Sequence, residues 1–153
     1  MPTKKKESKK KKPAEPKSAP KSSRYFSGVG RRKTSVARVR IVESKEKSVP
    51  FLVNGKEIKL YFSLPNLQET AASPLGVAGG AVGFSVSVKA SGGGIRGQAE
   101  AIRLGLSRAL VSFSEEFKKP LRALGYLTRD DRIVERKKPG LKKARRAPQW
   151  KKR

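Results

Sequence analysis

Hydrophobic and polar positions alternate most cleanly from Val82 to Val88, where Val82, Phe84, Val86 and Val88 are separated by Gly83, Ser85 and Ser87. A period of two predicts a strand with one face in a core. From Thr34 to Val42 the β-branched residues Val36, Val39, Ile41 and Val42 surround Arg38 and Arg40, which predicts a second strand with one basic face. After Gly92, Gly93 and Gly94 the period changes to three and four. Ala99, Ile102, Leu106, Ala109, Leu110 and Phe113 then share one stripe, so 96–113 reads as an amphipathic helix with Arg103 off the stripe. Asn54-Gly55, between Phe51-Leu52-Val53 and the later Ile58 and Leu60, signals a hairpin or tight turn.

Weaker signals complete the order. Leu64 to Ala72 suits a short helix stopped before Pro74. Ser114, followed by Glu115 and Glu116, suits the cap and acidic first turn of a helix through Leu124, closed by Gly125, with Pro120 standing against it. Arg132 to Glu135 reads as a short last strand. The order β-β-α-β-α-α-β predicts a single small α+β domain, its mostly antiparallel or mixed sheet covered by helices on one face.

Charge divides the chain more sharply than hydropathy. Of 153 residues, 38 are Lys or Arg and 12 are Asp or Glu, a formal net charge of +26. Residues 1–24 hold ten basic and two acidic residues with four prolines, and are expected to be a disordered Lys-rich arm. Residues 25–135 hold nearly all the large aliphatic side chains and form the domain. Residues 136–153 hold ten basic residues and no acid, interrupted by Pro139, Gly140 and Pro148, and read as an extended tail that needs a partner to be ordered. Fully extended, such a segment reaches about 60 Å.

Such a balance calls for a dense polyanion, with nucleic acid foremost. With no Cys and no His, disulfides, cysteine nucleophiles, His-dependent triads and Cys/His zinc sites are excluded. No apolar run approaches the roughly 20 residues of a spanning helix, and no signal-peptide core follows the basic N-terminus, so a cytoplasmic protein without a membrane partner is expected.

Three motifs carry candidate chemistry. Gly28-Val29-Gly30-Arg31-Arg32-Lys33 sets three cations after two glycines, which would permit close approach to a phosphate ribbon; Arg38 and Arg40 continue the basic face. Gly92 to Gly97 satisfies G-x-G-x-x-G between a strand and a helix, but Glu115 and Glu116, at the distance of a ribose-binding acid, open a helix instead of closing a strand. It reads more plainly as a turn that lets helix pack on sheet, or as helix amides that with Arg96 hold a polymer phosphate. In Leu127-Thr128-Arg129-Asp130-Asp131-Arg132 each aspartate has an Arg neighbour, so ion pairing is favoured over catalysis or Mg²⁺. Tyr25, Phe26, Tyr61 and Phe62 suit the core better than base stacking, whereas Trp150 in the tail can stack on a base or sugar.

Several of these blocks, in order, resemble one family. Gly28 to Lys33 with Ser35 to Val39, Val53-Asn54-Gly55, Gly92-Gly93-Gly94 with Gly97-Gln98-Ala99, Arg108-Ala109-Leu110, Leu127 to Asp130 with Val134 to Lys138, and Gly140 to Gln149 are similar to the ninth protein of the small ribosomal subunit. The resemblance implies a domain like the second domain of ribosomal protein five, with a left-handed β-α-β crossover, and no enzymatic activity or cofactor. It implies small-subunit ribosomal RNA and neighbouring proteins of the subunit head as partners, without homo-oligomers. Ribosomal RNA would be bound by Arg31, Arg32, Lys33, Arg38, Arg40, Arg96, Arg129, Arg136, Lys137, Lys138, Lys142, Lys143, Arg145 and Arg146. Lys151, Lys152 and Arg153 would touch the anticodon stem-loop of peptidyl-site transfer RNA. Trp150 and Lys151 depart from the family's usual ending, and Pro139 stands where a Tyr is common. Two other readings of the composition are a nucleic-acid-condensing protein and an enzyme built on the glycine loop.

Overall fold

The computed structural model describes residues 24–44, 50–78 and 83–150. Strand β1 (Phe26–Arg32) turns through Lys33 and Thr34 into β2 (Ser35–Ser44). A second hairpin joins β3 (Phe51–Val53) to β4 (Lys56–Glu57), followed by the helices α1 (Ile58–Tyr61) and α2 (Pro65–Val77). Then come β5 (Gly83–Ser91), the long α3 (Ile95–Phe113), a 3-10 turn (Glu115–Phe117) and α4 (Lys118–Ala123). The sheet order is β1-β2-β5-β3-β4, antiparallel except for β3 beside β5. This is the expected α+β class with a mixed sheet.

The strongest periodicities became the strongest elements. Ala37, Val39 and Ile41 of β2 and Phe84, Val86 and Val88 of β5 are buried against Ala99, Ile102, Leu106, Ala109 and Leu110 of α3. Each fully buried Leu or Ile contributes roughly 1.5–3 kcal/mol. Phe113 closes this layer edge-on between Phe26 and Phe84, at ring distances of 5.2 and 5.1 Å. Phe62 is buried with Tyr61 edge-on to it, so Phe26, Tyr61 and Phe62 serve the core as expected, whereas Tyr25 is exposed and lies outside it.

Four expectations are corrected. The chain enters the sheet one strand early. β1 escaped notice because its inward positions are Gly28 and Gly30, which leave no apolar alternation. A β-carbon on Gly28 would stand 2.7 Å from the Ala109 amide nitrogen, so these glycines admit the backbone of α3 rather than a phosphate ribbon. The hairpin's return strand is only two residues long, and Ile58 and Leu60 belong to α1. Pro74 lies buried inside α2 instead of stopping it. Its missing N–H would have gone to the Thr70 carbonyl, and the Ser73 hydroxyl donates there instead at 3.0 Å. Finally, no strand forms at 132–135, because the Arg132 amide already donates to Asp130 Oδ1 and its carbonyl accepts from Arg32, leaving neither for a ladder.

Other local signals hold. Asn54 and Gly55 take φ of 51° and 80°, the left-handed pair of a tight hairpin. The Asn54 side chain also pairs with Ala90 like a strand, Oδ1 accepting from its N–H at 2.9 Å and Nδ2 donating to its carbonyl at 3.0 Å. The Ser114 hydroxyl accepts from the Glu116 amide, and Gly125 takes φ of 72° after α4. Pro120 falls in the first turn of α4, where a missing N–H is tolerated. Val82, the arm at 1–23 and the terminal residues 151–153 lie outside the described residues.

Candidate nucleic-acid interface

Because α3 covers one face of the sheet, the other phase of each strand points away from it. That phase carries Ser27, Val29 and Arg31 on β1, Arg38 and Arg40 on β2, and Ser87 and Lys89 on β5. Strand register lines Val29, Arg38 and Lys89 into one row and Ser27, Arg40 and Ser87 into the next, about 6.8 Å further along the strands. Among the described residues, Arg31, Arg38, Arg40 and Lys89 are all exposed and none is ion-paired. Arg40 lies over the Tyr25 ring at 5.0 Å, which steadies the guanidinium without neutralising it. Lys89 was not among the sequence candidates. Its signal was its place on the polar phase of the Phe84 to Val88 alternation, but only the register brings it beside Arg38.

The run Arg31-Arg32-Lys33 is split three ways. Arg31 points to the open face. Arg32 points to the helix side, its side chain 11% exposed. Its Nε meets Glu100 Oε2 at 2.6 Å, its Nη2 meets Asp130 Oδ2 at 3.0 Å, and its Nη1 donates to the carbonyls of Arg132 at 2.6 Å and Asp130 at 3.3 Å. Lys33 occupies the hairpin tip with φ of 51°, a conformation that disfavours any side chain by roughly 1–2 kcal/mol. A cation is thus displayed where glycine would be easier.

Asp130 is the hub of the polar cluster. Arg132 donates to it from Nε, Nη2 and its backbone amide, at 2.8–3.2 Å. The Arg132 side chain, then its amide, with the charges of Arg132 and Arg32 behind them, hold the Asp130 carboxyl well below the ordinary carboxylate range against the opposing effect of burial. The same pairing raises the Arg132 pKa. Asp131 is exposed and makes no ion pair among the described residues. Of the two aspartates, Asp130 alone is ion-paired among the described residues. Beside this cluster, Arg96 is 85% exposed and 3.4 Å from Glu100, Arg103 lies over Tyr126 at 5.3 Å, and Arg129 is exposed.

The glycine motif fits protein, not a nucleotide. Gly92 and Gly93 have φ of 71° and 63°, and a β-carbon on Gly97 would stand 2.8 Å from Ser35 Oγ. That hydroxyl, buried at the start of β2, donates to the Gly92 carbonyl at 3.1 Å. Among the described residues no strand follows α3, so the second half of a dinucleotide unit is missing.

From Arg136 to Trp150 the tail forms no helix or strand. It is not a straight run. Glu135, the last acid of the chain, holds Lys138 at 3.0 Å and Arg145 at 2.8 Å, and the Arg146 carbonyl accepts from the Lys142 amide at 2.7 Å. Gly140, with φ of 78°, makes the turn inside this loop. Arg136, Lys137, Lys142, Lys143 and Arg146 remain exposed and without carboxylate partners among the described residues, and Trp150 is 92% exposed.

Comparison with known proteins gives the family. A curated protein of Cytophaga hutchinsonii, "Small ribosomal subunit protein uS9", is 50% identical over 128 residues, covering 84% of this chain and 98% of that one. A protein of the same name from Synechocystis is 47% identical over 127 residues, covering 82% and 90%. The family model "Ribosomal protein S9/S16" matches residues 30–153, which takes in the domain from the end of β1, the ion-pair cluster and the whole tail. The chain belongs to the ribosomal protein S9/S16 family.

Proposed function

We propose that this chain is a structural, non-catalytic component of the small ribosomal subunit in the cytoplasm, seated on ribosomal RNA in the subunit head beside neighbouring head proteins. The observation that carries the reading is the open sheet face, where Arg31, Arg38, Arg40 and Lys89 stand without carboxylate partners among serines and small apolar residues. Such a grid suits a phosphate backbone. It offers little for stacking bases, since Tyr25 is already engaged by Arg40. Lys33, Arg96 and Arg129 extend contact around one end of the domain. In the tail, Arg136, Lys137, Lys138, Lys142, Lys143, Arg145 and Arg146 hold ribosomal RNA, Trp150 stacks, and Lys151, Lys152 and Arg153 reach the anticodon stem-loop of peptidyl-site transfer RNA. The Lys-rich arm 1–24 adds sequence-independent attraction.

Replacing Arg38, Arg40 and Lys89 together by Gln tests the face. Each neutralised phosphate contributes roughly 0.7–0.9 to the slope of log affinity against log salt, so the slope for a small-subunit ribosomal RNA transcript should fall by about 2–3. Replacing Lys118 and Lys119 of α4 by Gln should leave it unchanged. Equal effects from both variants would mean that overall charge, and not this face, attracts the RNA.

A further inference from the structure

Arg32 stands in the middle of a cationic run that invites assignment to RNA, yet all three of its guanidinium nitrogens are occupied by protein. Its partners lie on two other parts of the chain: Glu100 in the second turn of α3, and the segment Asp130–Arg132, which lies between Leu127, packed against the core, and the tail from Arg136. Charges alternate through Arg96, Glu100, Arg32, Asp130 and Arg132 across the crevice between the β1–β2 turn and α3. The two carbonyls that Arg32 holds belong to the backbone at which the tail departs.

We propose that Arg32 is a positioning residue, which through Glu100 and Asp130 clamps the root of the C-terminal tail and fixes the direction in which the tail leaves the domain. The physical need is clear. Domain and tail are both basic and repel one another, so an unclamped tail would sample many directions. The gain from two binding segments on one RNA depends on geometry that lets both engage at once, and a fixed root raises the effective concentration of the second segment. An arginine is required because a lysine ammonium cannot reach two carboxylates and two carbonyls in a planar fork. This inference rests on the reading of sheet face and tail as two segments for one RNA.

The test uses the full-length chain, whose lack of cysteine lets thiols introduced at Ser112 and Val134 carry the only two spin labels. With Arg32 and Asp130 intact the labelled protein should give a narrow distance distribution, and Arg32→Gln and the nearly isosteric Asp130→Asn should each broaden it. Affinity for a small-subunit ribosomal RNA transcript is then measured for Arg32→Gln alone and with Lys137, Lys142, Lys143 and Arg146 changed to Gln. A clamp predicts a roughly three- to tenfold loss in the first background and little in the second. Unchanged widths in both variants would overturn the proposal. Equal losses in the two backgrounds would also overturn it, by making Arg32 a direct RNA contact. Failure of the native protein to bind the transcript would sink the RNA reading, while the label distances would still decide whether the clamp exists.

Discussion

Gly30 and Ala101 meet backbone to backbone: a β-carbon at position 30 would overlap the Ala101 carbonyl oxygen. Through this contact and the matching one between Gly28 and Gly105, α3 settles onto the first strand, and the opposite face of the sheet is left to the cations. Gly30→Ala should therefore cost about 1–3 kcal/mol or more through overpacking. The check is a denaturant titration, where the midpoint should fall with little change in slope. An unmoved midpoint would show that the helix does not need this approach.

Lys33 sets stability against binding. Its left-handed backbone would relax in Lys33→Gly, and the gain, less glycine's extra chain entropy, should be at most about 1 kcal/mol. The same change removes a cation from the hairpin tip, so RNA affinity should fall as stability rises. Thermal unfolding and RNA titration on one preparation test this, and a variant that lost both would mean that the Lys33 side chain supports the fold.

Asp130 predicts a specific acid response. Its carboxyl, ordinarily titrating at 3.8, is held lower in the folded protein, so between those two values the unfolded chain takes up a proton that the folded chain does not. Its stabilising contribution is complete above the ordinary value and is lost as pH falls through the folded one. The stability difference between the native protein and Asp130→Asn should thus be constant from pH 7 to about pH 5 and shrink below about pH 4. Unfolding titrations across that range would show it, and a difference unchanged down to about pH 2 would break the assignment.

Periodicity made the central elements legible, because β2, β5 and α3 bury side chains at regular spacing: Val39 and Ile41, Val86 and Val88, Ile102 and Leu106. What escaped was written in residues that lack the signal or lie far apart. Gly28 and Gly30 make a half-buried edge strand look like a flexible loop. Pro74 reads as a stop because Ser73's compensating hydrogen bond is a matter of geometry. Arg32 reads as an RNA contact because Glu100 and Asp130 lie 68 and 98 positions away. The basic face was half visible in Arg38 and Arg40, while Lys89 joined them only through strand register.

Shortening the chain by Lys151, Lys152 and Arg153 separates the two proposed roles of the tail. Ribosomal RNA association should stay nearly intact, since the other tail cations and the sheet face remain, while subunits carrying the shortened protein should hold peptidyl-site transfer RNA less tightly. Filter binding of transfer RNA to those subunits is the check, and undiminished affinity would remove the three terminal residues from the contact.

A specific seat on the small subunit, built from many phosphate contacts, can be tested by sedimenting the tagged protein with small ribosomal subunits before and after a high-salt wash and counting copies per particle. Close to one copy per subunit, retained through the wash, is the expected result. Loss in salt, or many copies on each particle, would contradict it and identify the protein as one recruited by its charge alone.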